Sequence, residues 1–302
     1  MKKKTKTLNN GKEIPLMGLG TSRIENPAEI VYNSIVNGVR LIDTAFKYGN
    51  EKDIGKGIKR AIDEGKCKRE DLIIMGKIWI NQRDNPEKAL KDSLRRLDLE
   101  YMDIYIDHWP SGKDYNEGKF KIVPVYEFWP KMEELVDKGL AKSIGVSNYN
   151  IQCLSNLLNI CRIKPVVNEV EYHLFYIQKT LKEFCDKQNI AIISYYPLPL
   201  GNGVRMLLEE NPEFNILKDS LIIKLSKDNN ISPGELILSW HCKSGVIPIP
   251  STSKIDRMKE NLKALEFEMK NKDFDELSKH FKQISFKKFC GCKRFFGVNV
   301  LA

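Results

Sequence analysis

The sequence predicts a closed α/β barrel, (β/α)8, with a short N-terminal β-hairpin and a C-terminal tail. Three observations carry this expectation. Eight short apolar runs rich in β-branched residues recur along the chain, segments with helical spacing lie between them, and no strand is followed by a G-x-G-x-x-G turn. Eight strand–helix repeats in about 250 residues are the arithmetic of a TIM barrel. The whole chain, 1–302, is expected to form this one barrel domain, with about 283–302 as a tail or loop near a substrate pocket.

The strands are expected as PLMGLG from Pro15, VRLIDT from Val39, LIIMGKI from Leu72, MDIYIDH from Met102, SIGVS from Ser143, VVNEVE from Val166, IAIISYY from Ile190 and GVIPIP from Gly245. Asn26, Asn85 and Ser232 each precede a proline at a first helical position, so each offers a capping side chain. Glu235 completes a capping box with Ser232. Between Pro86 and Leu97, Leu90, Leu94 and Leu97 share one face, as on a helix that covers a sheet. The near misses G18-L-G20, G55-K-G57 and G201-N-G203 lack the third glycine of a dinucleotide turn, which favours the barrel over a doubly wound sheet.

Composition narrows the class. With 42% hydrophobic and 29% charged residues, the chain is that of a soluble globular protein. Its net charge of +9 resides at the ends, on Lys2, Lys3, Lys4 and Lys6 and on Lys287, Lys288, Lys293 and Arg294, leaving the body almost balanced. The ends read as solvated tails, and no nucleic-acid partner is expected. The apolar stretch Ile190–Leu200 is too short and too proline-broken to span a bilayer, and no apolar run follows the N-terminal lysines. A cytoplasmic location without membrane attachment follows. Seven cysteines without a regular framework read as reduced thiols. Cys290 and Cys292 have no matching Cys or His pair, so no metal site is expected.

In a TIM barrel, chemistry sits at the C-terminal ends of the strands. The second strand ends at Asp43 with Tyr48 on its loop, the third at Lys77 and the fourth at His108. A phenol titrates near ~10 and is a weak acid at neutral pH; a nearby ammonium lowers that value, and a carboxylate holds the ammonium in place. The set therefore reads as an electrophilic site in which Tyr48 protonates a developing alkoxide, Lys77 tunes it, Asp43 anchors Lys77, and His108 positions a carbonyl. Taken singly, each has a bland reading: a cap for Asp43, a snorkelling lysine, a rim tyrosine, a core histidine. His173, His241 and His280 are read as satisfied core histidines.

D43-T-A-x-x-Y48-G-N-E51, L72-I-I-M-G-K77-x-W79, H108-W-P, G145-V-S-N148, N168-E-V-E-Y-H173, Y195-Y-P-L198 and R257-M-K-E-N261 resemble the aldo-keto reductases, in register from roughly residue 7 to residue 282. The resemblance implies a usually monomeric TIM barrel that reduces a small-molecule carbonyl substrate with NADPH, yielding NADP+, with NADH also admitted. The catalytic tetrad falls on Asp43, Tyr48, Lys77 and His108. Ser147, Asn148 and Glu169 fall beside the nicotinamide carboxamide and Tyr195 on its ring, with Leu198, Ser251, Thr252 and Lys254 along the cofactor. Arg257 meets the adenosine 2′-phosphate, a good match for a planar guanidinium, and Glu260 and Asn261 lie near the adenine. Trp79, His108 and Trp109 would wall a substrate pocket suited to aldehydes and some ketones, with Phe289, Phe295 or Phe296 of the tail at its rim. A non-catalytic nicotinamide-binding scaffold is the other function this pattern admits.

Several residues depart from the pattern. Ser251 stands where many relatives carry a lysine, Glu169 where the family has glutamine, Tyr196 where a small residue is usual, and Pro199 where there is a glycine. Asp107 replaces a residue that is usually apolar. Strand alternation aims it away from the barrel mouth, where a buried carboxylate needs a partner.

Overall fold

A computed structural model describes residues 4–110, 123–199 and 215–281. The tail expected over 283–302, with its cysteines and phenylalanines, lies outside the described residues, as do residues 200–214.

The chain opens with an antiparallel hairpin, β1 (Thr5–Thr7) and β2 (Glu13–Pro15). The barrel strands follow: β3 (Leu19–Gly20), β4 (Leu41–Asp43), β5 (Ile73–Ile78), β6 (Ile104–Asp107), β7 (Ile144–Ser147), β8 (Val167–Glu171), β9 (Ala191–Tyr195) and β10 (Ile247–Pro248). Each is parallel to the next in chain order. Among the described residues, the helices are α1 (Pro27–Val36), α2 (Glu51–Asp63), α3 (Pro86–Leu97), α4 (Val125–Asp137), α5 (Ile151–Leu158), α6 (Lys179–Lys187), α7 (Ser220–Asp228), α8 (Pro233–Lys243), α9 (Ile255–Lys263) and α10 (Asn271–His280). Two backbone bonds close the ring, from Gly18 N to Pro248 O at 3.1 Å and from Gly20 N to Pro250 O at 3.2 Å. Gly20 is obligatory at this seam, because a Cβ there would stand 2.7 Å from the Ile249 carbonyl oxygen.

Alternation along the strands sorts the side chains into two cores. Outward residues such as Ile42, Ile74, Tyr105, Val170 and Ile192 pack under the helices. Inward residues Leu41, Met75, Ile104, Ile106, Val167, Ile193 and Ile247 fill the barrel, and Leu8 and Ile14 of the hairpin join them. Continuing the same inward rows brings Asp43 above Leu41, Lys77 above Met75 and Glu169 above Val167. The barrel is thus apolar below and charged at its C-terminal end.

Four local expectations are corrected. The first strand does not begin at Pro15: residues 13–15 pair with the hairpin, since proline has no N–H for an interior ladder, and only Leu19–Gly20 belongs to the barrel. Asn26 makes no side-chain cap bond, because its backbone is left-handed at φ +49°. Asn85 does cap α3, accepting from Lys88 N, and the Ser232–Glu235 capping box of α8 is present. Of the N-terminal lysines, Lys4 pairs with Glu266, and Lys6 is half-buried and donates to the Gly245 carbonyl at 3.1 Å, so neither is part of a loose tail. His280 is exposed and meets Asp219 at 3.1 Å, whereas His173 and His241 are fully buried with hydrogen-bond partners. Among the described residues, no helix is long and apolar enough to cross a membrane.

Candidate active site

Lys77 is the centre of the charged end. Its side chain is fully enclosed, and its Nζ donates to Asp43 Oδ1 and, at 3.1 Å, to the Tyr48 hydroxyl. On its other side stands Glu169 Oε2, at 3.2 Å. Tyr48 reaches this point because the chain leaves β4 in a single turn of 3-10 helix, Phe46–Tyr48, ended by Gly49 in the left-handed region at φ +72°. The His108 ring meets Tyr48 edge-on at 5.9 Å and Trp79 at 5.0 Å. The four side chains proposed from strand ends therefore do converge.

The electrostatics follow from enclosure. Burial raises the Tyr48 hydroxyl well above the ordinary phenol range, outweighing the downward pull of Lys77. The sequence reading expects a net lowering; Lys77 acts in that direction, but desolvation wins. Burial alone would lower the lysine, yet Asp43 and Glu169 overcome it and hold Lys77 charged. Burial, helped by repulsion from Lys77 and Lys47, pushes His108 well below its usual range, so its imidazole is neutral. Glu169 is pushed up to about 8 by burial and by Asp43.

The residues expected along a cofactor form a second, continuous group. Ser147 Oγ donates to the Glu169 carbonyl at 2.8 Å, and Asn148 Nδ2 donates to the His108 carbonyl at 2.9 Å. The Tyr195 hydroxyl donates to Asn148 Oδ1 at 2.7 Å, and Asn148 holds a left-handed backbone at φ +65°. Ends of β6, β7, β8 and β9 are tied together by these bonds. Leu198 is half-buried and Thr252 intermediate, while Ser251, Lys254 and Arg257 are exposed. Lys254 and Arg257 have no ion-pair partner among the described residues, and they flank the start of α9, which has no side-chain cap. Glu260 and Asn261 follow on the same helix, partly buried. Trp79 and Trp109 are buried, at 1% and 3% exposure, so each ring is packed into the wall rather than standing in solvent.

Two residues, Arg83 and Tyr149, and one contact escape sequence reasoning. Asp107 has its partner: Tyr149 donates to it at 2.8 Å and the Arg83 guanidinium lies 3.6 Å away. Arg83 sits in a loop with no periodic signal, and Tyr149 reads as one more apolar residue. The contact of Glu169 with Lys77 crosses the barrel, and only the closed ring reveals it.

The sequence profile of the Aldo/keto reductase family matches residues 16–282. An aldose reductase of Encephalitozoon cuniculi is 39% identical over 275 residues, covering 86% of this chain and 88% of the relative. An NAD(P)H-dependent D-xylose reductase of Pyricularia oryzae is 34% identical over 304 residues, covering 93% and 94%. Among solved structures, a Bombyx mori aldo-keto reductase in complex with NADP superposes with a TM-score of 0.86 at 28% identity, over 96% of this chain and 95% of that one. Fold, strand-end chemistry and relatives converge: this chain belongs to the aldo/keto reductase family.

Proposed function

We propose that the protein is an NADPH-dependent reductase of aldehydes, and of some ketones, acting as a cytoplasmic monomer with the barrel as its one domain. The observation that carries the reading is the enclosed chain Asp43–Lys77–Tyr48 beside a neutral His108.

The cofactor's fit is judged from the residues present. Two cations with no ion-pair partner among the described residues, Lys254 and Arg257, beside a helix start with no side-chain cap suit a phosphate. The polar cluster of Ser147, Asn148 and Tyr195 beside Glu169 suits an amide-bearing ring. When bound, NADPH supplies the hydride. Ser147, Asn148 and Glu169 would hold the carboxamide, Tyr195 would cover the ring, and Arg257 would meet the 2′-phosphate. Because Ser251 carries no charge, preference for NADPH over NADH would fall to Lys254 and Arg257 among the described residues.

The rest is proton chemistry by this chain. His108, neutral, offers a ring N–H to the substrate carbonyl oxygen and orients it. Tyr48 keeps its proton at neutral pH and delivers it from Oη as the oxygen gains charge. Lys77, held charged by Asp43, stabilises the phenolate left behind. Trp79 and Trp109 exclude water from the carbonyl.

The test is NADPH oxidation with a panel of aldehydes, comparing wild type with Tyr48→Phe. Loss of a proton donor removes about 10²–10⁴-fold in turnover, while NADPH binding, read by fluorescence, is retained. Wild-type protein that binds NADPH and turns over no aldehyde, or a variant that matches it, would favour the scaffold reading.

A further inference from the structure

Around Lys77 the structure places more negative charge than one ammonium balances. Asp43 and Glu169 both contact it, from β4 and from β8 across the barrel, and the side chains are 0% exposed for the lysine and 3% for each carboxyl. Glu169 Oε2 is buried and receives no well-aligned hydrogen bond, although it stands 3.2 Å from Nζ. The two carboxyls therefore meet at one ammonium, each in direct contact with Lys77 Nζ. Two anions sharing one cation in a desolvated space are strongly disfavoured, and a proton on one of them relieves the excess.

We propose that Asp43 and Glu169 share one proton across Lys77 at neutral pH, which makes Glu169 a positioning residue that sets the charge against which Tyr48 releases its own proton. Its kinetic consequence rests on the reductase reading; its structural content does not. The charged and titratable groups facing Glu169 are Asp43 and Lys77, with Tyr48 beyond the lysine. Its neighbours in the sheet, Ser147 on β7 and Ile193 on β9, bring no titrating side chain. Asp43, closer to the ammonium, keeps its charge, and Glu169 carries the proton, in keeping with its rise to about 8. When Glu169 ionises, Lys77 is divided between two carboxylates, and a phenolate on Tyr48 faces a net negative neighbourhood. Reduction slows as a result.

The experiment measures kcat/KM for aldehyde reduction from pH 6.5 to 9.5 in wild type and Glu169→Gln, each scaled to its own maximum. Infrared difference spectra of both proteins are recorded over the same range. In wild type, the rate falls roughly tenfold between pH 7 and 9 with an inflection near 8, and a protonated-carboxyl band disappears in parallel. In Glu169→Gln, the band is missing and the fall is absent from that window. Superimposable pH profiles, or a wild-type spectrum with no protonated carboxyl that the substitution removes, overturn the proposal. A band that titrates as expected in a protein that reduces no aldehyde supports the shared proton and counts against the reductase reading instead.

Discussion

Asp107 shows how a single side chain on the outer face of a strand can govern the inner one. It follows the inward Ile106 and precedes His108, so alternation turns it outward under the helices. There, Tyr149 and Arg83 close on it, and the Arg83 guanidinium also lies over the Phe128 ring at 4.2 Å. Burial pushes the Asp107 carboxyl up to about 6 against the pull of Arg83, leaving it ionised at neutral pH. The trio joins the strand end that carries His108, the loop after Trp79 and the residue after Asn148. Asp107→Asn leaves a buried guanidinium without its counter-charge and is expected to cost about 3–5 kcal/mol in urea unfolding. Replacing Arg83 with Met in the same protein should recover part of that loss, and a double-mutant cycle measures the coupling.

At the scale of elements, the same residue pattern has different worth depending on backbone conformation. Asn26 and Ser232 both precede a proline at a helix start, yet only Ser232 has the extended backbone, ψ 158°, that lets its hydroxyl reach the Glu235 N–H. Ser232→Ala should therefore lower thermal stability by about 1 kcal/mol. Asn26→Gly should cost no more than about a few tenths of a kcal/mol, because it removes no cap bond and eases a left-handed residue. The spacing of caps and leucines made the helices legible: α3 and α8 begin at Pro86 and Pro233, the prolines that mark them in the sequence. Strand ends were legible too, since Asp43 and Lys77 close apolar runs. What local pattern does not encode is which end belongs to the ring and which to the hairpin. Pro15 fell on the wrong side of that division, and His280 proved to be on a helix end rather than in the core.

For the molecule as a whole, buried titrating groups set how stability follows pH. Glu169 has a folded-state value raised from 4.5 to about 8, so the folded protein holds a proton that the unfolded chain releases. Its contribution is fully present below 4.5 and is lost as pH rises through about 8. His241 has the opposite sense: burial lowers it from 6.5 to about 4, so its contribution is present above 6.5 and is lost as pH falls through about 4. Melting temperatures of wild type and Glu169→Gln should therefore diverge in favour of the variant as pH rises from 5 to 8. Parallel curves would show that Glu169 is already ionised. Contacts across the ring, such as Glu169 with Lys77, were invisible in the sequence because they depend on strand tilt and closure rather than on any neighbour along the chain.

The seam at Gly20 and Pro250 gives that ring a role in assembly. Asp43 and Glu169 lie on opposite sides of the chain's midpoint, and Lys77 meets both only when the strands are curled into a circle. Asp43 and Lys77 come from β4 and β5, which pair with one another, whereas Glu169 stands on β8, across the ring. The full charge set around Lys77 is thus not held by any run of adjacent strands. It is complete only in the closed ring, so an opened barrel would keep the Asp43 contact and lose that of Glu169.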